Sequence, residues 1–393
     1  MRWPLEIFFV YVIVGPAAWA IFAFMLYKGH KRMLIIKRPP EALPQPAPRA
    51  TILIPAKDEG ERISGCLESA VQQDYPDFEV IAVNDRSTDR TGEVMEKLAA
   101  RDARMRVVHI RDGELPAGWT GKNNALNRAV AEATGQWLLF VDSDVVLERD
   151  ALSCAISCAI ARRAGLLSMF PRLESHTIWE SLVVPLAGWA MSMLYLVSMT
   201  NEDQWPGSFA NGQFMLFSRE AYEAVGGHAS VKDKFCEDID FARLVKPTGR
   251  RVRIAWGSEF AAVRMYSSMN SIVRGFGRIF FAASVGRPWR IILGLLALIV
   301  TGSSGYIALV AGIVHHNQDW TIAAMIHLIV MSITLAAMYR ISGNPRRNAM
   351  LFPLGAVLLG RIFIKALHMC ATGKLEWRGT RYSRGIAKPQ AAD

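Results

Sequence analysis

The stretch Gln136-Trp-Leu-Leu-Phe-Val-Asp-Ser-Asp144 joins a short apolar run to two acidic residues. A short, continuous apolar run is typical of a strand that is buried on both faces. In an extended segment, residues i and i+2 project to the same side, so Asp142 and Asp144 share one side of the chain. The stretch therefore predicts a buried strand that ends in a pair of carboxylates.

Three further apolar runs precede this strand, and helix-like stretches separate them. The strands are predicted at residues 50–55, 78–84, 105–111 and 136–141, and the helices at residues 61–73, 89–101 and 122–134. Strands that alternate with helices imply a parallel sheet, and such sheets bind ligands at the carboxyl ends of their strands. Polar residues cluster at these ends, at residues 57–59, at Asp85, and at Asp142 and Asp144. We therefore expect an α/β, Rossmann-like domain with its functional site along this edge.

Two common nucleotide-binding motifs are missing after the predicted strands. Neither GxxxxGK[ST] nor GxGxxG occurs there, which argues against a P-loop ATPase and a dinucleotide dehydrogenase. The strand ends carry carboxylates instead, and Mg²⁺ or Mn²⁺ is typically held by one or two carboxylates together with phosphate oxygens. An Asp-Ser-Asp pattern alone is weak evidence, but its place at the end of a βα strand favours a divalent-cation site.

The composition indicates a protein that is partly embedded in lipid. Hydrophobic residues make up 51% of the chain and charged residues 20%, whereas soluble proteins carry about 25% charged residues. Uncharged runs at residues 7–27, 291–314 and 320–339 are long enough to cross a bilayer. A fourth candidate, at residues 349–369, contains Arg361 and Lys365. These runs predict a multi-pass membrane protein.

Basic residues set the expected orientation. The first apolar run is preceded by Arg2 alone and followed by Lys28, Lys31, Arg32, Lys37 and Arg38. By the positive-inside rule, the residues that follow this run lie in the cytoplasm, so the α/β domain is expected to face the cytoplasmic side of the cell (inner) membrane. Two C-terminal topologies stay open, because four spans would place the basic tail (Lys374, Arg378, Arg381 and Arg384) outside, whereas three spans and one interfacial segment would not. The basic runs are interpreted as topology signals and anionic-lipid contacts, so no nucleic-acid partner is expected.

The sequence divides into five predicted segments. They are an N-terminal transmembrane anchor with a basic cytosolic flank (residues 1–38), a proline-rich linker (39–48), an α/β domain with interfacial helices (49–285), C-terminal transmembrane or interfacial helices (286–370) and a basic tail (371–393).

The strand-end motifs resemble those of one enzyme family. Residues 51–59 (Thr-Ile-Leu-Ile-Pro-Ala-Lys-Asp-Glu), 83–89 (Val-Asn-Asp-Arg-Ser-Thr-Asp) and 140–144 (Phe-Val-Asp-Ser-Asp) are similar to the nucleotide-sugar domain of family 2 glycosyltransferases, which have the GT-A fold. Residues 121–127 (Gly-Lys-Asn-Asn-Ala-Leu-Asn) resemble the GKxxALN segment of that family, and residues 236–238 (Cys-Glu-Asp) stand at its acceptor-side acidic motif. The resemblance covers residues 49–280, with the motifs in the expected order.

Other features resemble the lipid-modifying branch of the family. The anchor, the segment at residues 115–121 and the tail at residues 377–382 are similar to those of ceramide glucosyltransferases and of bacterial hopanoid- or carotenoid-associated glycosyltransferases. The resemblance implies an inverting, metal-dependent hexosyltransferase that moves a sugar from a nucleotide sugar, expected to be UDP-linked, to a hydroxyl of a membrane lipid of the sphingolipid, hopanoid or carotenoid type. A polyprenyl-phosphate sugar synthase and a processive polysaccharide synthase are the alternatives.

The resemblance also implies roles for the donor-side residues. Pro55, Ala56 and Glu59 would line the uridine pocket, and Asp85 would accept a hydrogen bond from the uracil. Asp142 would contact the ribose or the metal, and Asp144 would bind the metal that bridges the diphosphate. Lys122 would neutralise a phosphate. Asp58 stands where many relatives have Asn, which leaves its role open.

On the acceptor side, Asp238 is the candidate catalytic base, and Glu237 is its acidic neighbour. A direct inverting displacement needs a carboxylate that takes the proton of the acceptor hydroxyl. By the resemblance, Arg278 can hold pyrophosphate, whereas Ile279 replaces the tryptophan that processive synthases use to stack on the acceptor sugar. This replacement favours a single transfer to a lipid.

The catalytic cleft is expected to sit against the bilayer, because a lipid hydroxyl stays at the interface. Two stretches could hold it there: residues 183–199, which include Trp189, and residues 271–289, in which Phe276, Phe280 and Phe281 form an apolar stripe. A buried helix of the soluble domain is the alternative interpretation of residues 183–199.

Overall fold

The structure is a computed structural model that describes residues 5–38, 40, 43–284, 287–377, 380–383 and 386–388, with side chains described as far as residue 373. It divides into two units. The helical unit comprises the described residues that fall within 5–31, 175–194 and 266–372, and the sheet unit comprises those that fall within 32–174, 195–265 and 373–388. The domain boundaries proposed from the sequence stay predictions.

The described strands follow in chain order. They are β1 (Leu34–Ile35), β2 (Ala50–Ala56), β3 (Phe78–Asp85), β4 (Met105–Ile110), β5 (Trp137–Val141), β6 (Val145–Leu147), β7 (Ala164–Phe170), β8 (Arg172–Leu173), β9 (Phe214–Ser218), β10 (Arg251–Trp256), β11 (Ala261–Val263), β12 (Lys374–Trp377), β13 (Thr380–Ser383) and β14 (Ile386–Lys388).

The described helices alternate with these strands in the sheet unit and follow one another in the helical unit. They are α1 (Leu5–Arg32, with a π-helical turn at Ile13–Ala17), α2 (Ile63–Val71), α3 (Thr91–Ala99), α4 (Gly121–Glu132), α5 (Ala151–Ala161), α6 (Ile178–Tyr195), α7 (Arg219–Ala224), α8 (Glu237–Val245), α9 (Met269–Ala283), α10 (Trp289–Val314), α11 (Gln318–Ile341) and α12 (Phe352–Thr372).

An eight-stranded sheet forms the centre of the sheet unit, in the order β1-β10-β7-β9-β5-β2-β3-β4. Strand β9 is antiparallel to both of its neighbours, and the other strand pairs are parallel. The predicted strands are confirmed as β2, β3, β4 and β5, and the predicted helices as α2, α3 and α4. The expected mostly parallel, Rossmann-like sheet is therefore confirmed.

Burial on both faces explains why the central strands have continuous apolar sequences. In β2, Ile52 and Ile54 pack in one hydrophobic cluster, whereas Leu53 packs in a second cluster. All three side chains are fully buried. Parallel pairing places Ala56 opposite Asn84 and Asp85 opposite Ile110, so the carboxyl ends of β2, β3 and β4 lie side by side.

The helical unit contains the long apolar helices. Among the described residues, four helices are long and apolar enough to cross a membrane: Leu5–Arg32, Trp289–Val314, Gln318–Ile341 and Arg346–Thr372, the last of which begins with a 3₁₀ turn. These correspond to the four runs that the sequence indicates. Arg2, Pro39, Arg378 and Arg384, which the topology, linker and tail predictions use, lie outside the described residues.

Of the two stretches expected to hold the cleft against the bilayer, residues 183–194 and the described residues of 271–289 belong to the helical unit. In α6, the carbonyl of Leu182 accepts a hydrogen bond from Tyr339 Oη at 2.8 Å, and Trp189 Nε1 donates to Ser342 Oγ at 3.0 Å. In α9, the Phe280 ring packs edge-on against Phe363 at 4.9 Å between centroids.

Phe276 and Phe281 are buried as well. The apolar stripe of α9 is therefore covered by protein within the helical unit, and the expectation that the catalytic cleft sits against the bilayer stays a prediction. Residues 183–187 are also buried, which favours a packed helix, although its partners belong to the helical unit.

Candidate functional site

Most of the predicted site residues lie in the sheet unit, in the loops and helix starts that follow the strands. Three strand ends carry donor-side residues: Pro55 and Ala56 end β2, with Glu59 in the loop that follows, Asp85 ends β3, and Asp142 and Asp144 follow β5. Two helix starts carry the others: Lys122 is in the first turn of α4, and Glu237 and Asp238 begin α8. Arg278 lies on α9 of the helical unit, and its role at pyrophosphate stays a prediction.

Asp58 ties the loop after β2 to the loop after β3. Its backbone has a φ of 54°, a left-handed conformation that Asp and Asn tolerate better than most residues. Asp58 Oδ1 accepts a hydrogen bond from the backbone N–H of Thr88 at 2.8 Å, and the Asp58 N–H donates to Ser87 Oγ at 3.0 Å. The structure thus gives Asp58 a conformational role that Asn could also fill.

Asp85 is paired with its chain neighbour. Arg86 Nε donates to Asp85 Oδ1 at 2.7 Å, and Arg86 Nη2 donates to Asp85 Oδ2 at 2.9 Å. Only 5% of the Asp85 side chain and 11% of the Arg86 side chain are exposed, so this fork is shielded from water. Arg86 was not predicted as a site residue from the sequence, although its position directly after Asp85 indicates one.

Asp142 and Asp144 form an acidic centre at the end of β5. Both residues are half-buried. Burial, and then the charges of Asp142 and Glu59, raise the pKa of Asp144 to about 7. Converging carboxylates that repel one another favour a bound cation, and oxygen donors suit a hard ion such as Mg²⁺ or Mn²⁺.

The acidic centre does not form a complete metal cage. Among the residues that the structure describes, no group of three or more His, Cys, Asp or Glu side chains is arranged to hold a metal ion. Two carboxylates still fit a divalent cation whose remaining ligands are phosphate oxygens and water. Asp142 and Asp144 are therefore the candidate ligands.

Lys122 bridges two carboxylates from different parts of the unit. Its Nζ lies 2.7 Å from Asp142 Oδ1 and 2.7 Å from Glu237 Oε1. A cation in the first turn of a helix opposes the helix dipole, so this lysine needs the compensation that the two acids supply. Burial alone would lower the pKa of Lys122, but Asp142 and Glu237 outweigh that effect and hold its pKa well above that of a free lysine.

Asp238 is oriented by two backbone donors. Gly212 N–H donates to Asp238 Oδ2, and Ile239 N–H donates to Asp238 Oδ1, each at 2.8 Å. Burial, and then the neighbouring charge of Glu237, raise the pKa of Asp238 to about 7. A carboxylate with this pKa, held in a fixed orientation, can accept a proton near neutral pH.

Gly212 is a second site residue that the sequence analysis missed. A Cβ on Gly212 would lie 3.1 Å from Asp238 Oδ2, so the absence of a side chain allows the close backbone contact. The Asn211-Gly212 dipeptide is a turn pattern visible in the sequence, but its partner is 26 residues away in the chain. Asp240, the other acid near Asp238, pairs instead with Arg243 at 3.1 Å.

The chain is similar to known glycosyltransferases in sequence and in fold. Residues 51–226 match the family model described as Glycosyl transferase family 2. The chain is 27% identical over 348 residues to the 4,4'-diaponeurosporenoate glycosyltransferase of Staphylococcus aureus (strain USA300), a match that covers 86% of this chain and 89% of that protein. It is 28% identical over 353 residues to the protein of the same name from strain MRSA252, with the same coverage of both chains.

A solved structure shows a similar fold. The mannosyltransferase from Pyrobaculum calidifontis, in complex with GDP-Man and Mn²⁺, superimposes with a TM-score of 0.52 at 19% sequence identity. The match covers 92% of this chain and 99% of that one.

We predict that Lys122→Met destabilises the full chain by about 2 kcal/mol, because Asp142 and the buried Glu237 lose their shared counter-ion. The loss is smaller than for a fully buried pair because 34% of the Lys122 side chain is exposed to water. Thermal unfolding of the purified chain measures the change.

Adding Glu237→Gln to Lys122→Met should recover part of the loss, since the second substitution removes the uncompensated charge. Lys97→Met, at an exposed position on α3, is the matched control. Equal midpoints for Lys122→Met and Lys97→Met would contradict the bridging role.

Proposed function

We propose that the chain, whose residues 51–226 match the Glycosyl transferase family 2 model, transfers a sugar, with inversion, from a UDP-linked donor to a hydroxyl of a membrane lipid. The observation that carries this proposal is the orientation of Asp238 by two backbone N–H groups, in the same unit as the acidic centre at Asp142 and Asp144. The family domain supports sugar transfer in general, and the site residues support the finer assignment.

The donor is proposed to bind at the carboxyl ends of β2, β3 and β5. Pro55, Ala56 and Glu59 would line the nucleoside pocket, and Asp85 would accept a hydrogen bond from the base. The solved mannosyltransferase is described with GDP-Man, but at 19% identity its likeness extends to the fold alone. The proposal of a uracil base therefore rests on the residues of this chain.

The diphosphate is proposed to lie beside Asp142, Asp144 and Lys122. A divalent cation held by the two aspartates would neutralise charge on the departing nucleoside diphosphate. Lys122 adds a positive charge at the start of α4, where backbone N–H groups also favour an anion. Its contacts with Asp142 and Glu237 position this ammonium group.

Asp238 is proposed to act as the general base. Its carboxylate would take the proton of the acceptor hydroxyl as the hydroxyl oxygen attacks the anomeric carbon, and the bond to the diphosphate breaks on the opposite face. Glu237 has a supporting role, because it pairs with Lys122 and raises the pKa of Asp238. We also propose that Arg278 contacts the pyrophosphate group.

A lipid acceptor is supported by the apolar helices and by the relatives. The chain has four helices long enough to cross a membrane among its described residues, and the staphylococcal relatives are named for a carotenoid acceptor. We propose an isoprenoid acceptor that presents a hydroxyl group, ahead of a sphingolipid, and a multi-pass protein of the inner membrane. The basic residues at 28–38 support a catalytic domain on the cytoplasmic face.

An anionic acceptor is the main alternative. The acceptor in the name of the relatives is a carboxylate, and a polyprenyl phosphate is likewise an anion. Neither needs a base to remove a proton, so Asp238 would then be dispensable. A processive synthase is less well supported, because Ile279 replaces the stacking tryptophan of that class.

We predict that Asp238→Asn lowers kcat for transfer to lipid by at least about 100-fold, because the variant has no base. Labelled sugar that enters the lipid extract of membranes containing the full chain measures the transfer. Asp240→Asn, which removes an acid paired with Arg243, is the matched control and should keep its activity.

The pH dependence provides a second readout of the same assignment. Since the pKa of Asp238 is raised to about 7, kcat/KM should be low below pH 7 and rise as the pH passes through that value. Saturating Mn²⁺ keeps Asp144 ionised during this measurement. Full activity of Asp238→Asn would instead support an anionic acceptor.

We predict that Asp144→Ala weakens binding of UDP in the presence of Mn²⁺ by at least about tenfold, because a charged contact to the cation is lost. EDTA should abolish transfer by the unmodified chain, and added Mn²⁺ should restore it. Glu61→Ala, at an exposed acid in the same unit, should behave like the unmodified chain. Undiminished transfer by Asp144→Ala in excess EDTA would refute the cation assignment.

A further inference from the structure

The guanidinium group of Arg86 is hydrogen-bonded to Asp85, the carboxylate that is proposed to accept a hydrogen bond from the nucleobase. Its Nε and Nη2 contact the two different oxygens of Asp85, at 2.7 Å and 2.9 Å. Such a fork uses the edge of the carboxylate on which two parallel N–H donors fit best. The acceptor capacity that Asp85 offers to a ligand is therefore reduced to its remaining lone pairs.

The backbone at Arg86 is held in an unfavourable conformation. Its φ of 54° places a long side chain in the left-handed region, which favours glycine. The Arg86 N–H donates to the carbonyl of Ile110 at 3.0 Å, and the Arg86 carbonyl accepts from Lys57 Nζ at 2.8 Å. Contacts on both sides thus keep the residue in a conformation that its side chain disfavours.

Helix α4 packs directly onto the pair. A Cβ on Gly121 would lie 2.5 Å from Arg86 Nη2 and 2.5 Å from Asp85 Oδ2, so any side chain there would displace the fork. Because Gly121 precedes Lys122, the fork lies next to the helix start that is proposed to meet the diphosphate. The strand end, the loop after β2 and α4 together fix the orientation of Arg86.

We propose that Arg86 is a specificity-determining residue that favours uracil over guanine at the base-binding position. This inference rests on the proposed function, in which Asp85 accepts a hydrogen bond from the base. Guanine presents two adjacent donors, N1–H and N2–H, that need the same carboxylate edge Arg86 already fills. Uracil presents a single N3–H donor, and its two carbonyl oxygens can accept from the guanidinium group.

The test is the ratio of the dissociation constants for GDP and UDP, measured by calorimetry on the full chain in detergent with Mn²⁺. The unmodified chain should bind UDP more tightly. Arg86→Gly, which suits the left-handed backbone, frees both oxygens of Asp85 and adds one charge-assisted hydrogen bond for guanine. The GDP-to-UDP ratio should then fall by about tenfold.

Two further variants complete the test. Arg86→Lys keeps the positive charge but cannot form the two parallel hydrogen bonds to Asp85, so the GDP-to-UDP ratio should fall in this variant too. If Arg86→Gly does not fold, Arg86→Lys provides the test. Arg101→Gly, at an exposed position in the same unit, should leave the ratio unchanged.

The outcomes separate the inference from the proposed function. Tighter UDP binding by the unmodified chain, with a ratio that does not move in Arg86→Gly or Arg86→Lys, would overturn the role of Arg86 alone. Tighter GDP binding by the unmodified chain would overturn both this inference and the proposed UDP donor. If Arg86 has only a structural role, its substitution would weaken the binding of UDP and GDP equally. The ratio of the two dissociation constants would then be unchanged.

Discussion

The ammonium group of Lys122 is the interaction on which the arrangement of the site depends. It lies between Asp142, at the end of a central strand, and Glu237, at the start of a helix about 100 residues further along the chain. Without this cation, the acids of the site would repel one another in a partly buried environment. The positive charge of Lys122 therefore connects the proposed donor side, at Asp142 and Asp144, with Glu237, which is next to Asp238 on the proposed acceptor side.

The sheet unit and the donor side could be predicted from the sequence because their information is local. Apolar runs that end in acids show both the strand and the point where it ends, and parallel pairing brings those ends together without further assumptions. Asp85, Asp142 and Asp144 were found in this way. The acceptor-side acids, Glu237 and Asp238, lie beyond the segment that the family model matches and were found through a motif resemblance.

The remaining features depend on contacts between residues that are distant in sequence or on conformations that a pattern does not specify. Gly212 is an ordinary turn glycine until Asp238 is placed beside it. Arg86 acquires its role from a left-handed backbone and from the absence of a side chain at Gly121. The periodicity around Phe280 indicated an apolar helix face correctly, but it could not show that Phe363, rather than lipid, covers that face.

The central claim is a single displacement in which Asp238 removes the acceptor proton while the nucleoside diphosphate departs from the opposite face. The anomeric configuration of the glycolipid product tests this claim most directly, by NMR of the lipid formed from an α-linked UDP-sugar. A β-linked product is expected, because one displacement inverts the anomeric carbon. An α-linked product would contradict it, because retention requires a different course, such as a covalent intermediate on the protein.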